Sequence, residues 1–496
     1  MNVQAQRLPS TPPRGALGVL GALGGAIAAG LLVGALGANP LLAVAGLLAV
    51  FVGVVAIVRQ DLVVLVVVFI LYSDAAVVAV EKQGLPYVLA GAVPLLLAIP
   101  LVQQFRRGER VFVDRLFVAL VALLLAMVES GLLARDVGVA LGEIWTFALQ
   151  GVLLYVLVLN VLRSQHTLRL ALWSVLAAGA FLAAVTVFQY VTKTFDRPFF
   201  GFSPLDIAYA SGQSTAPRAN GPVNDPNYYA QLLLPALAFG LVLALRERRP
   251  LLRLLAASMA ATVMFAITLT ASRGGALALG AMIVVMMALG FFRPAQLIGA
   301  VALLATVLAL NPSYLQRLTT TSLSGIAAPT GSTVAADTAE RARLTENLAA
   351  AQVFADHPLF GVGPGGFPLY YQEYAGRIGI QVHNRQRTGA NAGEAPQRAA
   401  HNIALGLAAD LGVVGLGLFL VVVWLAFRGL LRARRRWLSE QRSELADIAG
   451  ALVVALVGYL AAGVFLSLAF ERYFWLLLAM AGAAVALSRA PRGAHG

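Results

Sequence analysis

The sequence contains no cysteine, only five histidines and few charged residues, which make up 12% of its 496 residues. Without cysteine, the chain can form neither a disulfide bond nor a thiolate metal site. With so little charge and 59% hydrophobic residues, it cannot be an ordinary soluble protein, because its apolar surface could not be kept out of water. Because histidines are so few, each one can be assessed separately as a candidate for imidazole chemistry.

Long hydrophobic runs recur from one end of the chain to the other. Each is long enough to cross a bilayer hydrocarbon core about 30 Å thick. The sequence therefore predicts an all-α polytopic membrane protein with about fourteen transmembrane helices. The first run is too long for a typical cleaved signal peptide, so we expect an uncleaved anchor. The predicted spans are 16–38, 41–58, 62–80, 87–104, 112–130, 143–162, 168–192, 227–246, 253–271, 274–292, 295–311, 402–427, 446–468 and 471–488.

The net charge of +13 is spread unevenly over the predicted loops. When alternate loops are assigned to opposite sides, the basic surplus falls on the side that holds both termini and the Arg432–Arg436 cluster. The positive-inside rule then predicts that both termini are cytoplasmic. This topology and attraction to anionic lipid headgroups explain the surplus, so the lipid bilayer is an expected partner and nucleic acid is not.

Two of the predicted connections are long, Lys193–Pro226 and Asn311–His401, and both fall on the external side. Long loops on a membrane scaffold are where binding and catalytic residues usually lie. The loops divide the chain into four predicted regions: an N-terminal transmembrane bundle (1–192), helices with the first external loop and a Ser-Arg-Gly-Gly turn (193–311), a large periplasmic loop (312–400) and the C-terminal transmembrane helices (401–496).

The large loop is predicted to contain structure of its own. Asp337–Glu340 matches a capping box, and residues 340–354 have helical composition. The stretch His357–Gly366 is rich in glycine and proline, so it predicts turns rather than continued helix. Its glycine spacing matches a dinucleotide fingerprint, but no strand precedes it, and a turn is the better interpretation. We expect the polar residues 376–400 to be mobile.

Arg218 lies shortly before the eighth predicted span. Asp225 followed by Pro226 is a typical pair for the N-cap and first position of a helix, so the span should begin there. The free backbone N–H groups and the positive dipole end of that helix would then lie beside Arg218 on the external surface, forming an anion site. The alternative is an ordinary capped helix with a solvated arginine in its loop.

Arg273 lies in Ala271–Gly275, a turn too short to carry it far from the bilayer. An arginine in such a setting is costly, and it usually pairs with another group or lines a pathway. The planar fork of a guanidinium suits phosphate because it offers paired donors. The alternative is that Arg273 extends to lipid headgroups.

His401 opens the twelfth predicted span. The positive potential at a helix N-terminus favours a neutral imidazole, which can accept a proton from an attacking hydroxyl. The alternative is an interfacial histidine with a structural hydrogen bond.

Asp410 follows one or two turns later, where it could serve a proton relay, but we expect it to pack against a neighbouring helix. No cluster of histidines and carboxylates has zinc spacing, so no metal or other cofactor is expected.

Taken in order, four segments of this sequence resemble the O-antigen ligase and polymerase superfamily of bacterial membrane glycosyltransferases. They are the arginine before a Pro-Asn helix start (218–227), Ser272-Arg273-Gly274, the stretch His357–Gly366, and His401-Asn402. The resemblance covers about residues 200–470. About fourteen predicted spans, rather than about twelve, set this chain apart from the usual family pattern.

The resemblance implies an inverting glycosyltransferase that takes a glycan from undecaprenyl diphosphate on the periplasmic face of the bacterial inner membrane. A ligase passes it to a lipid A-core sugar, an O-antigen or exopolysaccharide polymerase to another lipid-linked repeat, and related enzymes to a protein hydroxyl. In this chain the catalytic base would be His401, and Arg218 and Arg273 would bind the diphosphate. The alternative from another class is a polysaccharide flippase or secondary transporter, which would place charges near the midplanes of several spans.

Overall fold

The computed structural model describes residues 60–85, 93–94, 96–106, 108, 110–204, 217–292, 335–378, 398–466 and 472–489. Within these residues the structure is helical and has no strand, which confirms the predicted all-α class. The predicted spans 16–38, 41–58 and 295–311 lie outside the described residues, as does most of the polar segment 376–400.

Fourteen helices form the described part of the chain. In order they are α1 Gln60–Tyr72, α2 Ala75–Gln83, α3 Ala98–Arg106, α4 Arg115–Gly131, α5 Val137–Val161, α6 Gln165–Thr192, α7 Pro226–Arg246, α8 Pro250–Leu269, α9 Arg273–Ala288, α10 Ala335–Asp356, α11 Phe367–Ile378, α12 Ile403–Ser439, α13 Ser443–Gly463 and α14 Arg472–Arg489. Helix α5 contains a π-helical segment, Phe147–Leu153.

Among the described residues, six helices are long and apolar enough to cross a membrane: α5, α6, α7, α8, α12 and α13. Helices α1 and α2, which cover the span predicted at 62–80, are bent by 52° relative to each other and together are apolar enough to form one broken span. Asp74, at the break, adopts a left-handed backbone conformation (φ 62°), and its carboxylate forms an ion pair with Arg472. The protein is therefore a helical membrane protein, while the total of fourteen spans stays a prediction.

Helices α7 and α13 form the centre of the bundle, where most of each span is buried by other helices. Small residues allow the central helices to approach closely, as is common in membrane proteins. A Cβ atom added to Gly179 of α6 would lie 2.4 Å from that of Ala236 in α7. One added to Gly458 of α13 would lie 2.5 Å from the Met282 sulfur in α9.

Helix α12 is broken at Gly412 (φ 63°, ψ −164°), and the predicted turn stretch fills the break. The backbone N–H of Val413 donates to the Pro358 carbonyl at 2.8 Å, and that of Val362 donates to the Ala409 carbonyl at 3.0 Å. These bonds satisfy backbone groups that the broken helix leaves open. The span predicted at 402–427 is thus interrupted near its start, and it also extends to Ser439.

The large loop contains two helices, of which only the first was predicted. Helix α10 begins at Ala335, so Asp337–Glu340 falls inside the helix rather than at its start. Helix α11 begins at Phe367, whose N–H donates to the Asp410 carboxylate at 2.9 Å. Asp410 also accepts from the Gly365 N–H at 3.2 Å, so its expected packing role is confirmed as a cap on α11.

Candidate active site

Arg218 is held between the start of α7 and the end of α8. Its Nε donates to the Thr270 carbonyl at 2.8 Å, and its Nη2 donates to Asn227 Oδ1 at 3.2 Å. The next residue, Ala219, donates its N–H to the Leu269 carbonyl at 3.0 Å. Because Arg218 is only 9% exposed, the alternative of a solvated loop arginine is wrong.

Arg273 lies in the turn that Arg218 contacts. The Nη2 of Arg218 is 3.5 Å from the carbonyl of Ala271, two residues before Arg273. Ala271 has a left-handed backbone conformation (φ 48°), which permits the tight reversal between α8 and α9. The structure therefore brings the segments that carry the two arginines together at this turn.

Helices α7, α9 and α12 all begin at the same end of the bundle, which we call the site end. Asp225 caps α7 by accepting from the N–H groups of Asn227 (2.7 Å) and Tyr228 (3.0 Å), as the sequence predicted. Ser272 caps α9, and Asn402 caps α12. The positive dipole ends of three helices therefore add to the charge of the arginines at the site end.

The end of α13 connects the Arg273 turn with the segment that carries His401. Asn402 Nδ2 donates to the Val464 carbonyl at 3.0 Å. The neighbouring Phe465 lies against Gly274, where an added Cβ would be 3.2 Å from its ring. The short segment just after α13 thus contacts both the residue after Arg273 and the residue after His401, and all three predicted site residues lie at the site end.

His401 faces a carboxylate that the sequence analysis missed. Its Nδ1 lies 2.7 Å from Oε2 of Glu346 in α10, and the Glu346 side chain is only 2% exposed. The other carboxylate oxygen, Oε1, accepts a hydrogen bond from Arg398 Nη1 at 2.9 Å. Nδ1 lies within ion-pair distance of Glu346 without donating a hydrogen bond to it, so the link between the two groups is electrostatic.

A sequence signal for Glu346 did exist. Glu346, Ala349, Ala350 and Val353 follow the spacing of one helix face, and all four are buried. A lone carboxylate on the apolar face of a loop helix is costly unless it is paired, so it predicts a partner from elsewhere in the fold. What the spacing could not supply was the identity of that partner.

Tyr371 of α11 lies beside the same carboxylate. Burial first, and then the negative charge of Glu346, raise the pKa of the Tyr371 phenol, which therefore stays neutral. Its hydroxyl has no hydrogen-bond partner within the described ranges.

Across all the residues that the structure describes, no group of three or more histidines, aspartates or glutamates could hold a metal ion.

The fold and this site together define a helical membrane protein with a cationic, imidazole-bearing site at one end of its bundle. Residues 257–420 match the model of a family described as O-antigen ligase. The matched segment includes Arg273, Glu346 and His401, while Arg218 lies outside it. The match confirms the resemblance to the O-antigen ligase and polymerase superfamily, and it supports a glycosyltransferase of that general type. No curated protein matches the chain.

Proposed function

We propose that the chain is an inverting, metal-independent glycosyltransferase of the O-antigen ligase type. It would transfer a glycan from undecaprenyl diphosphate to an acceptor hydroxyl, such as that of a lipid A-core sugar, on the periplasmic face of the bacterial inner membrane. The observation that carries the proposal is the meeting of the Arg218 and Arg273 segments at one turn, at the same end of the bundle as His401.

The donor's diphosphate would bind at the two arginines and the three helix N-termini. As the glycosidic bond breaks, negative charge grows on the leaving diphosphate, and preorganised donors stabilise it. Contacts to Thr270 and Asn227 hold the Arg218 guanidinium in place before substrate arrives. One such donor is typically worth about 10²–10³ in rate.

The acceptor hydroxyl would be activated by His401. Its oxygen attacks the anomeric carbon from the side opposite the diphosphate, so the configuration inverts, while its proton passes to Nε2 of His401. The Glu346 carboxylate beside Nδ1 then stabilises the imidazolium that forms. General base catalysis of this kind contributes about 10²–10⁴ in rate.

A polymerase of the same superfamily is the alternative, because it would use the same residues and differ only in its acceptor. A flippase or secondary transporter is disfavoured, since Arg218, Arg273 and His401 lie at helix ends rather than at the midplanes of several spans. The Asp74–Arg472 ion pair at the break between α1 and α2 is a feature that a transporter would share.

The decisive experiment supplies the purified full-length protein with a lipid-linked oligosaccharide and candidate acceptors. A new conjugate identifies a ligase, and an extended lipid-linked chain identifies a polymerase. His401→Ala should abolish transfer, whereas His357→Ala, which alters a histidine that faces the Tyr370 ring elsewhere in the loop, should retain it. Full transfer by the folded His401→Ala protein would contradict the assignment of the base.

A further inference from the structure

A cavity of about 340 Å³ lies at the end of the bundle opposite the site end. It is lined by the start of α4, the second half of α12 and the end of α14. Helix α12 has 37 residues, and at about 1.5 Å per residue it exceeds a hydrocarbon core of about 30 Å. Helix α4 begins at the cavity and ends near the break in α12, where Ser130 donates to the Asp410 carbonyl. The cavity and the α12 break therefore lie at opposite ends of α4.

Two glycines, one in α12 and one in α14, are part of the cavity lining. Gly429 faces Val485, and an added Cβ there would lie 2.8 Å from it. Gly482 faces the Tyr155 hydroxyl, which an added Cβ would approach to 2.2 Å. Both glycines line the cavity, and they allow neighbouring helices to approach closely there.

The cavity lining is strongly cationic. One acidic residue, Asp114, lines the cavity, and its carboxylate already accepts from the Phe117 N–H and from the Tyr155 hydroxyl, both at 2.9 Å. Asp114 caps α4, so the positive dipole end of that helix also points toward the cavity. The arginines of the lining are Arg115, Arg428, Arg432, Arg436 and Arg489.

Most of these arginines are not neutralised by the protein. Arg436 forms an ion pair with Glu440 at 3.1 Å. For Arg115, Arg432 and Arg489, no carboxylate within the described residues forms an ion pair. A cavity that concentrates unpaired guanidinium groups is suited to a phosphate group, which their planar forks can bind through paired hydrogen bonds.

One face of α12 runs from an exposed apolar surface to this cavity. Leu420, Trp424, Arg428 and Arg432 follow at intervals of four residues and therefore lie in one row. Leu420 is 55% exposed and Trp424 52% exposed, and the Arg428 guanidinium lies 4.5 Å from the centre of the Trp424 ring. Tryptophan is typical of the membrane–water interface, so the row passes from the acyl region to the headgroup region at Trp424.

We propose that this cavity binds the headgroup phosphate of an anionic phospholipid, with the acyl chains lying along the apolar part of the α12 row. Val118 and Leu125 of α4, which packs against α12, are exposed apolar residues as well. Basic pockets between membrane helices are known to hold anionic headgroups. A free phosphate would use the arginines but gain nothing from Leu420 and Trp424.

The test measures binding of short-chain phosphatidylglycerol to the detergent-solubilised full-length protein, with phosphatidylcholine and inorganic phosphate as comparison ligands. Arg428→Gln/Arg432→Gln should weaken phosphatidylglycerol binding about 25-fold, because each basic residue near the headgroup contributes a factor of about five. The matched control is Arg435→Gln/Arg442→Gln, which removes two exposed arginines outside the cavity lining and should change affinity less than about twofold.

Two further variants keep the test conclusive. If the double variant does not fold, Arg489→Gln at the end of α14 should still lower the affinity about fivefold. Trp424→Ala should weaken phosphatidylglycerol but leave inorganic phosphate unaffected. Equal losses in the cavity and control double variants would overturn the proposal in favour of general surface charge, and equal affinities for phosphatidylglycerol and inorganic phosphate would overturn the lipid assignment.

Discussion

The Nδ1 atom of His401 lies 2.7 Å from Oε2 of Glu346, although 55 positions separate the two residues in the chain. This contact joins the start of α12 to the buried face of α10. It couples the large loop directly to the proposed base, so the loop is part of the site rather than a cover over it.

Glu346→Gln should reduce the turnover number about 10- to 100-fold and leave KM for the lipid-linked donor unchanged. The amide oxygen can still accept from Arg398, but it cannot stabilise an imidazolium as a carboxylate does. Steady-state transfer assays over a range of donor concentrations check this. Glu373→Gln, which removes an exposed carboxylate paired with Arg377 on α11, is the control and should behave as wild type. A loss confined to KM would rule out the proposed stabilisation of the imidazolium by Glu346.

Arg273→Lys should lower transfer about 10²-fold, because an ammonium cannot reproduce the paired donors of the guanidinium fork. Transfer assays and direct binding of a lipid diphosphate measure the two effects separately. Arg377→Lys is the matched control, since that arginine is half exposed on α11 and remote from the Ser272–Gly274 turn in the sequence. Unchanged diphosphate binding in both Arg218→Ala and Arg273→Ala would disprove the anion site.

Gly412→Ala should lower the free energy of unfolding by at least about 1–3 kcal/mol, the cost of the strained backbone alone. The backbone at Gly412 adopts angles open essentially to glycine alone, and an added Cβ would lie 2.2 Å from the Leu359 carbonyl oxygen. Thermal unfolding in detergent measures the difference. Gly417→Ala in the same helix meets nothing within 4 Å and should be neutral or slightly stabilising. Equal melting temperatures for the two variants would show that the break in α12 is not needed.

Glu247 predicts an acid-dependent loss of stability. Burial opposes ionisation, but hydrogen bonds from the Arg249 N–H and from Arg169 outweigh it and hold the pKa of the Glu247 carboxyl below its usual 4.5. A lowered folded-state pKa stabilises the protein above the unfolded-state value, and this contribution is lost as the pH falls below about 4.5.

Glu247→Gln should therefore flatten the pH dependence of the melting temperature below about 4.5, measured by thermal unfolding across that range. Glu373→Gln is the control, because Glu373 is 50% exposed and pairs with Arg377 rather than with Arg169. Solvent screens such a pair, so the control should keep the wild-type pH dependence. An identical acid dependence in wild type and Glu247→Gln would refute the role of this carboxylate.

Much of the fold could be predicted because local patterns decided it. The spans at 168–192, 227–246, 253–271 and 446–468 were each found within a few residues of α6, α7, α8 and α13. The start of α7 was predicted from Asp225 and Pro226, since an N-cap depends only on neighbouring residues. Arg273 was found because an arginine in a short turn between apolar spans is costly, and Arg218 and His401 were found because they lie beside predicted helix N-termini.

What the sequence analysis missed depends on residues far apart in the chain. Helix α11 is capped by Asp410, which lies 43 positions after Phe367. The break in α12 persists because Pro358 and Leu359 supply the hydrogen bonds that it opens. Neither partner can be read from the periodicity of the segment that it completes.

The sequence by itself determined that this protein is helical and belongs in a membrane, because hydrophobicity and helix capping act over a few turns of chain. It also singled out Arg273 by its cost in an apolar setting, and Arg218 and His401 by their places beside helix N-termini. Only the tertiary structure decided that Glu346 faces His401 and that the arginine segments share one turn. Those relationships arise from side-chain packing between distant segments, and no local pattern encodes which of the available partners will meet.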